Sequence, residues 1–424
     1  MYRRLTFLFL GLLLAGTIVG IIVPAGPGWD FANFYDTGRR MAAGQISDLY
    51  HPESLIGGQP PQGKLGFYGA PISALLYAPL AWFSPTWAMV LFKIENTIAY
   101  FIALLVLYLH NRSFAESDSE SQWRFAALFS GLTLVYQPFW TVYRVGGQTT
   151  PTVFLLLALA MVCHVRSRFF LSALFVVGAV LIKPAFIFAP ALLVCVSGWK
   201  FFKQMVVVSA LVAAISIPLL GWPIHAEFIQ VMARASQESY PWFYNSSIYV
   251  VAENIRILAN AGQWNDALKL STIAVKVAAL AICVYTLIKS RTLNLPEPAR
   301  RHFEFLTAIV LCVLVAQTVW EHYLVALFPL LIYIAAARHR FRTATLGLAT
   351  AIFLLAAWQN LILISFLRAH LHFSTIPELI LIGLIKSAPL TLTAFLLLRH
   401  HQDMFQSYKA PAWSHANVHE VVLT

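Results

Sequence analysis

After Tyr2-Arg3-Arg4 the chain runs Leu5-Thr6-Phe7-Leu8-Phe9-Leu10-Gly11-Leu12-Leu13-Leu14-Ala15-Gly16-Thr17-Ile18-Val19-Gly20-Ile21-Ile22-Val23-Pro24 without a charge. A helix needs about 20 apolar residues to cross the hydrocarbon core of a bilayer, and this run has that length. It exceeds the apolar core of a secretory signal, about 7–15 residues, and Val23-Pro24-Ala25-Gly26 makes a poor cleavage site. The run reads as a retained transmembrane helix with Arg3 and Arg4 on the cytoplasmic side. The rest of the chain agrees. Of its 424 residues 59% are apolar and 11% charged, where a soluble domain carries roughly 25% charged. That excludes a water-soluble enzyme, a disordered chain, a collagen-like fibre and a disulfide-stapled secreted domain.

Working outward, apolar runs recur near 86–109, 124–142, 151–164, 169–182, 184–199, 204–221, 267–289, 303–320, 323–337, 343–366 and 379–399. The expectation is an all-α polytopic membrane protein of about 12 spans. Residues 70–83, broken by Pro71 and Pro79, are too short to span and read as a juxtamembrane helix. Lys183-Pro184 breaks 169–199 into a bent hairpin. Loops assigned to the inside hold 17 of the 29 Lys and Arg residues, Arg112, Arg166, Lys200, Arg300 and Arg338 among them. This asymmetry puts both termini in the cytoplasm and accounts for the net charge of +11 without a nucleic-acid partner. Residues 1–399 form one transmembrane domain and 400–424 a polar cytoplasmic tail. Two long segments, 25–70 and 222–266, fall outside the membrane on the opposite face. Functional residues concentrate on loops held by a rigid scaffold, so that extracytoplasmic face is the expected working face. Cys163, Cys195, Cys283 and Cys312 sit in apolar runs and read as small hydrophobes.

The first outer segment begins Gly28-Trp29-Asp30-Phe31-Ala32-Asn33-Phe34-Tyr35-Asp36. Phe31, Phe34, Tyr35 and Gly38 share one face of an amphipathic helix. Asp30 stands where a carboxylate caps a helix N-terminus. Gly44 and Leu49-Tyr50 follow, then Phe67-Tyr68-Gly69-Ala70-Pro71. Downstream lie Gly146-Gly147-Gln148 at the start of a span, Ile182-Lys183-Pro184 in the broken hairpin, Asn245-Ser246-Ser247, and Trp320-Glu321-His322-Tyr323. In order and sidedness these motifs resemble glycosyltransferase family 87, of the GT-C superfamily of polyprenyl-phosphate-sugar-dependent transferases. The resemblance covers roughly residues 5–335. It departs at Phe67–Pro71, where the family usually has Tyr-Pro-Pro or Tyr-x-Pro.

The resemblance implies a GT-C-type helix bundle whose first extracytoplasmic loop carries juxtamembrane helices. It implies an inverting transfer of mannose or another hexose from a polyprenyl-phosphate donor to a lipid or glycan acceptor hydroxyl. A lipid-linked sugar phosphate already has a stable leaving group, so one carboxylate suffices as general base. The family's base matches Asp30. Burial at the interface would raise its pKa and make it a stronger base. The leaving phosphate needs cations or helix N-termini. Lys183, Arg144, Arg256, Gln148 and His322 are the donor-side candidates. Tyr35, Asp36, Tyr68, Asn245 and Glu321 are candidates on the acceptor or sugar side. The chemistry calls for no metal and no cofactor; partners are the lipid-linked donor, the acceptor and the bilayer.

Each assignment has a plainer counterpart. Asp30 can serve only as a cap, Lys183 can snorkel, and Arg256 can pair with Glu253 one helical turn earlier. Gln148 can satisfy its own turn, and Trp320 and Tyr323 can act as interface anchors. Lys93, Glu95, Lys276 and Lys386 lie inside spans, and intramembrane charges favour a rival reading as a secondary transporter or lipid flippase. The lack of an internal repeat weakens that rival. No P-loop, dinucleotide-binding glycines, zinc-protease motif or nucleophile elbow is present, which disfavours a nucleotide-sugar donor.

Overall fold

The computed structural model describes residues 1–23, 29–50, 67–144, 147–235, 245–258, 265–292, 295–316, 318–358, 366, 369–370, 376–400 and 403–404. These residues are almost entirely helical. The order is α1 (Tyr2–Ile22), α2 (Trp29–Ala42), α3 (Pro85–Asn111), α4 (Ser119–Val135), α5 (Gln137–Arg144), α6 (Thr150–Val165), α7 (Phe169–Ile182), α8 (Phe188–Leu220), α9 (Trp222–Ala235), α10 (Val250–Leu258), α11 (Asn265–Arg291), α12 (Glu297–Val315), α13 (Phe328–Ala336), α14 (Thr343–Trp358) and α15 (Ile376–Arg399). Short 3₁₀ turns run over Pro71–Leu76, Ala78–Trp82, Pro184–Phe186 and Glu321–Leu327.

The count of spans differs from the hydropathy reading. Among the described residues five helical stretches are long and apolar enough to cross a membrane: Tyr2–Ile22, Pro85–Phe114, Pro184–Leu220, Asp266–Lys289 and Ile376–Arg399. A sixth is the pair α4 and α5, bent by 47°. The runs 184–199 and 204–221 merge into α8, with a break at Gly198. Others, such as α6 and α7, have 16 and 14 residues and bury much of their surface against neighbours. Hydropathy records apolar length; it does not tell a span from a short helix packed inside the bundle.

The centre is α12. It is apolar nearly all round, and Phe303 through Leu314 are all buried, as expected of a helix enclosed on every side. α6, α8, α11 and the Glu321–Leu327 turn pack directly against it. At the rim, α1 packs on α4 and α5. Gly20 allows this approach, since a Cβ there would meet the Tyr143 ring at 2.8 Å.

Two further details position the site. The last turn of α1 leaves carbonyls without helical partners. Lys93 on α3 donates to two of them, Gly20 O and Val23 O, both at 3.0 Å. This intramembrane lysine therefore secures the end of α1, seven residues before Asp30. The second detail is an aromatic packet under α2. Phe31, Phe34 and Tyr35 pack with Phe67, Tyr77 and Phe92, and the Tyr35 hydroxyl donates to Phe83 O at 2.8 Å. The outer helix expected from Phe31, Phe34, Tyr35 and Gly38 forms, and that face is the one that packs. At the other end the tail is not wholly solvated: Asp403 and Met404 are buried, and the Thr345 hydroxyl donates to Asp403 at 2.7 Å.

Candidate active site

Four distant segments meet at one buried cluster. Asp30 lies in the first turn of α2. Gln148 lies in the turn before α6, Lys183 in the break after α7, and His322 in the 3₁₀ turn before α13. Lys183 follows the last residue of α7, where Pro184 forbids continuation, so its side chain leaves the bundle wall and turns inward.

The hydrogen bonds define the cluster. The Lys183 ammonium donates to Gln148 Oε1 at 3.0 Å, Thr150 Oγ1 at 2.8 Å and His322 Nε2 at 3.2 Å. It also stands over the Tyr323 ring, 4.5 Å from the centroid. An ammonium has three protons and no acceptor, so all three are used on neutral partners. With Gln148 Oε1 committed to Lys183, its amide N–H groups face the Asp30 carboxyl, with which Gln148 forms a side-chain hydrogen bond. Because Lys183 donates to Nε2, the neutral His322 ring carries its proton on Nδ1.

Asp30 as a residue is half-buried, but its carboxyl is enclosed. Burial holds its pKa above the ordinary carboxylate value, opposed by the Gln148 hydrogen bond and the Lys183 charge. Lys183, between helices and buried, moves the other way: burial brings it down to about 7, opposed by the Asp30 charge. Carboxyl and ammonium thus sit in one enclosed space, linked by one amide. The N-terminus of α6 opens onto the same space, and its free N–H groups add partial positive charge.

Gly147 makes this geometry attainable. Its φ of +97° suits glycine, and a Cβ would press on Phe92 at 3.1 Å and Phe31 at 3.3 Å. The turn can therefore lie against the α2 aromatic packet and hold Gln148 beside Asp30.

The other expected residues go elsewhere. Arg256 is bound to Glu253, with Nε and Nη2 at 3.1 and 2.8 Å from one carboxylate oxygen, as its spacing allowed. Asp36 pairs with Arg40 at 3.2 Å. Asn245 accepts from Ser247 N at 3.0 Å and Val319 N at 3.1 Å and bridges to Trp320; it clamps the strand-like approach to His322. Glu321 forms a buried ion pair with Lys386 on α15 at 3.0 Å. Tyr68 is half-buried at the entry to the Pro71 turn. Gly146 and the side chain of Arg144 lie outside the described residues. Thr150 was not singled out from sequence; it is the first residue of α6, between the N-cap Thr149 and Pro151. No group of three or more potential metal ligands occurs among the described residues.

Long apolar helices around an enclosed polar cluster define an integral-membrane protein. The family model for glycosyltransferase family 87 matches residues 67–318. The chain belongs to that family, and is a multi-pass membrane glycosyltransferase. Among solved structures, the chain is similar to ArnT from Cupriavidus metallidurans bound to undecaprenyl phosphate, at 14% identity and a TM-score of 0.38, over 94% of this chain and 77% of that one. No curated protein matches the sequence.

Proposed function

We propose that the protein is an inverting glycosyltransferase that moves mannose or another hexose from a polyprenyl-phosphate donor to a lipid or glycan acceptor. The reaction takes place on the extracytoplasmic face of the plasma membrane, with both termini in the cytoplasm. One observation carries this reading: a single enclosed carboxyl, Asp30, stands one amide away from a buried lysine that has no ion-pair partner among the described residues.

The roles follow from that geometry. The acceptor oxygen attacks the anomeric carbon while Asp30 takes its proton. The bond to the donor phosphate breaks, and its electron pair leaves on the phosphate oxygen. Lys183 and the N-terminus of α6 stabilise the developing charge. Neutral partners on Lys183 exchange for an arriving anion without breaking an ion pair. Gln148, held at both ends, keeps base and cation in register, and His322 fixes the far side of the ammonium. Attack opposite the phosphate inverts the sugar. The reaction needs no metal to generate its nucleophile or leaving group, so a chelator is expected to leave transfer unchanged.

The test is transfer by purified protein with a polyprenyl-phosphate hexose and native membrane glycolipids as acceptors. Asp30→Asn is expected to keep the fold, judged by its thermal transition, and to lose transfer by roughly 10²–10⁴-fold, the scale of general-base catalysis. Transfer at the wild-type rate by that variant removes Asp30 from the role. The transporter alternative has less support now that Lys93 and Lys386 have partners in the helical packing.

A further inference from the structure

Tyr323 stands beside Lys183 and Asp30 with its hydroxyl unspent. The Lys183 ammonium lies over the ring, 4.5 Å from the centroid, so the ring face is taken. The hydroxyl is at the ring edge, and Asp30 is the charge that acts on it. It has no hydrogen-bond partner among the described residues. An unmade hydrogen bond inside an apolar bundle is costly, and a buried tyrosine hydroxyl usually finds a partner. This one is also within reach of a ligand. The fully enclosed hydroxyls that lack partners belong to Tyr77, Tyr100, Ser246, Ser247 and Thr307. Tyr323 is not one of these and keeps 8% of its surface exposed. Lys183, Gln148 and His322 keep 8%, 7% and 6%, whereas Leu324, Leu327 and Phe328 on the same stretch of chain are 0% exposed. The polar side chains therefore line a narrow opening, and the apolar ones close it from behind.

The turn fixes where the ring lies. Tyr323 N donates to Trp320 O at 2.8 Å. The Tyr136 hydroxyl, at the bend between α4 and α5, donates to Leu324 O at 2.7 Å. The ring packs on Phe186, with centroids 5.9 Å apart, and on His322 at 4.9 Å. Tyr323 is thus held inside the bundle and does not face lipid as an interface anchor would.

The chemistry follows from its neighbours. In the proposed reaction the ammonium takes the phosphate and the carboxylate takes the acceptor's proton. In an in-line displacement the group between the two is the sugar. A phenol both donates and accepts, which matches a sugar hydroxyl, and in glycoside hydrolysis hydrogen bonds of this kind strengthen in the transition state. We infer that Tyr323 is a sugar-contact residue, whose hydroxyl hydrogen-bonds a ring hydroxyl of the hexose on the donor. It thereby distinguishes a sugar-bearing lipid phosphate from the bare lipid phosphate left after transfer. This rests on the proposed function in one respect, that the donor is a polyprenyl-phosphate hexose with its phosphate at Lys183.

The test is equilibrium binding and needs no turnover. Full-length protein in phosphatidylcholine nanodiscs is titrated with undecaprenyl phosphate, undecaprenyl-phosphate mannose and undecaprenyl-phosphate glucose. Wild type is expected to bind one of the sugar forms about fivefold more tightly than the bare phosphate, the scale of one hydrogen bond between neutral groups. Tyr323→Phe keeps the ring under Lys183. It is expected to keep its thermal transition and its affinity for the bare phosphate within about twofold, while the preference for the sugar form falls below twofold. Lys183→Met is expected to weaken all three lipids alike and to keep the preference. Three results overturn the inference: no sugar preference in wild type, a full preference in Tyr323→Phe, or an equal loss of sugar-bearing and bare lipids in that variant. Failure of the donor reading shows elsewhere, as unchanged binding of all three lipids by Lys183→Met, and takes the inference with it.

Discussion

Lys183 and Lys386 are both buried near the 3₁₀ turn that carries Glu321 and His322, yet their surroundings differ. Lys386 meets a carboxylate, Glu321, at 3.0 Å, with both side chains enclosed. Lys183 spends its protons on an amide, a hydroxyl and an imidazole, and rests on a ring. The first arrangement is closed: its charges cancel, and it fastens α15 to the turn. The second has no carboxylate in direct contact among the described residues, burial lowers its affinity for the proton, and the nearest compensating group is Asp30, across Gln148. Adjacent residues on one turn thus serve different ends. Glu321 ties the turn to the scaffold, and His322 reaches into the site.

The largest effect expected from breaking this contrast is on chemistry. Asp30→Asn should lower transfer roughly 10²–10⁴-fold and also raise thermal stability at neutral pH. The sign follows from burial. A raised folded pKa means that the charged carboxyl disfavours the fold, so stability is present below the unfolded value and falls as pH rises through the folded one. Asparagine removes that loss. A melting temperature below wild type would contradict the enclosed, partly compensated carboxyl.

Next in size is the closed pair. Lys386→Met leaves Glu321 buried without its partner and should cost about 3–5 kcal/mol, whereas Lys386→Met with Glu321→Leu should recover most of it, as chemical denaturation can measure. Lys183→Met should do the reverse. It strands no carboxylate in direct contact, so its stability loss should be smaller than that of Lys386→Met, while transfer falls at least tenfold.

Smaller effects sharpen the picture. Gly147→Ala forces a Cβ onto Phe31 and Phe92 at positive φ and should cost about 1 kcal/mol or more. Because the turn carries Gln148, transfer should fall with it. In the pH profile, the acidic limb of transfer should lie above the ordinary carboxylate range. Gln148→Leu removes the hydrogen bond that lowers the Asp30 pKa, so it should move that limb to higher pH. An unmoved limb would mean that another group is titrating.

Much of the site was legible in the sequence because each part sits at a chain irregularity. Asp30 follows the first apolar run, Gln148 a pair of glycines, Lys183 precedes a proline, and His322 lies in the polar interruption Trp320-Glu321-His322-Tyr323. Irregularities in apolar helices are few, so they stand out. The pairing of Arg256 with Glu253 was legible too, from their spacing of three. What was not legible is long-range. Glu321 and Lys386 are 65 positions apart, and nothing local marks them as partners. Lys93 looks like a functional intramembrane charge until the end of α1 is placed beside it. The span count was not legible for the same reason: among the described residues five helical stretches, or six with the bent pair, pass by length, and an apolar run of 14 residues has the same composition inside a bundle as in a membrane.

Lys183, with no carboxylate in contact, and not Lys386, paired with Glu321, is the proposed receiver of the donor phosphate. The most direct measurement is equilibrium binding of undecaprenyl phosphate to purified protein in nanodiscs, for wild type, Lys183→Met, and Lys386→Met combined with Glu321→Leu. The account predicts affinity at least tenfold weaker for Lys183→Met and within threefold of wild type for the double variant. Wild-type affinity for Lys183→Met, or an equal loss in both variants, would contradict it.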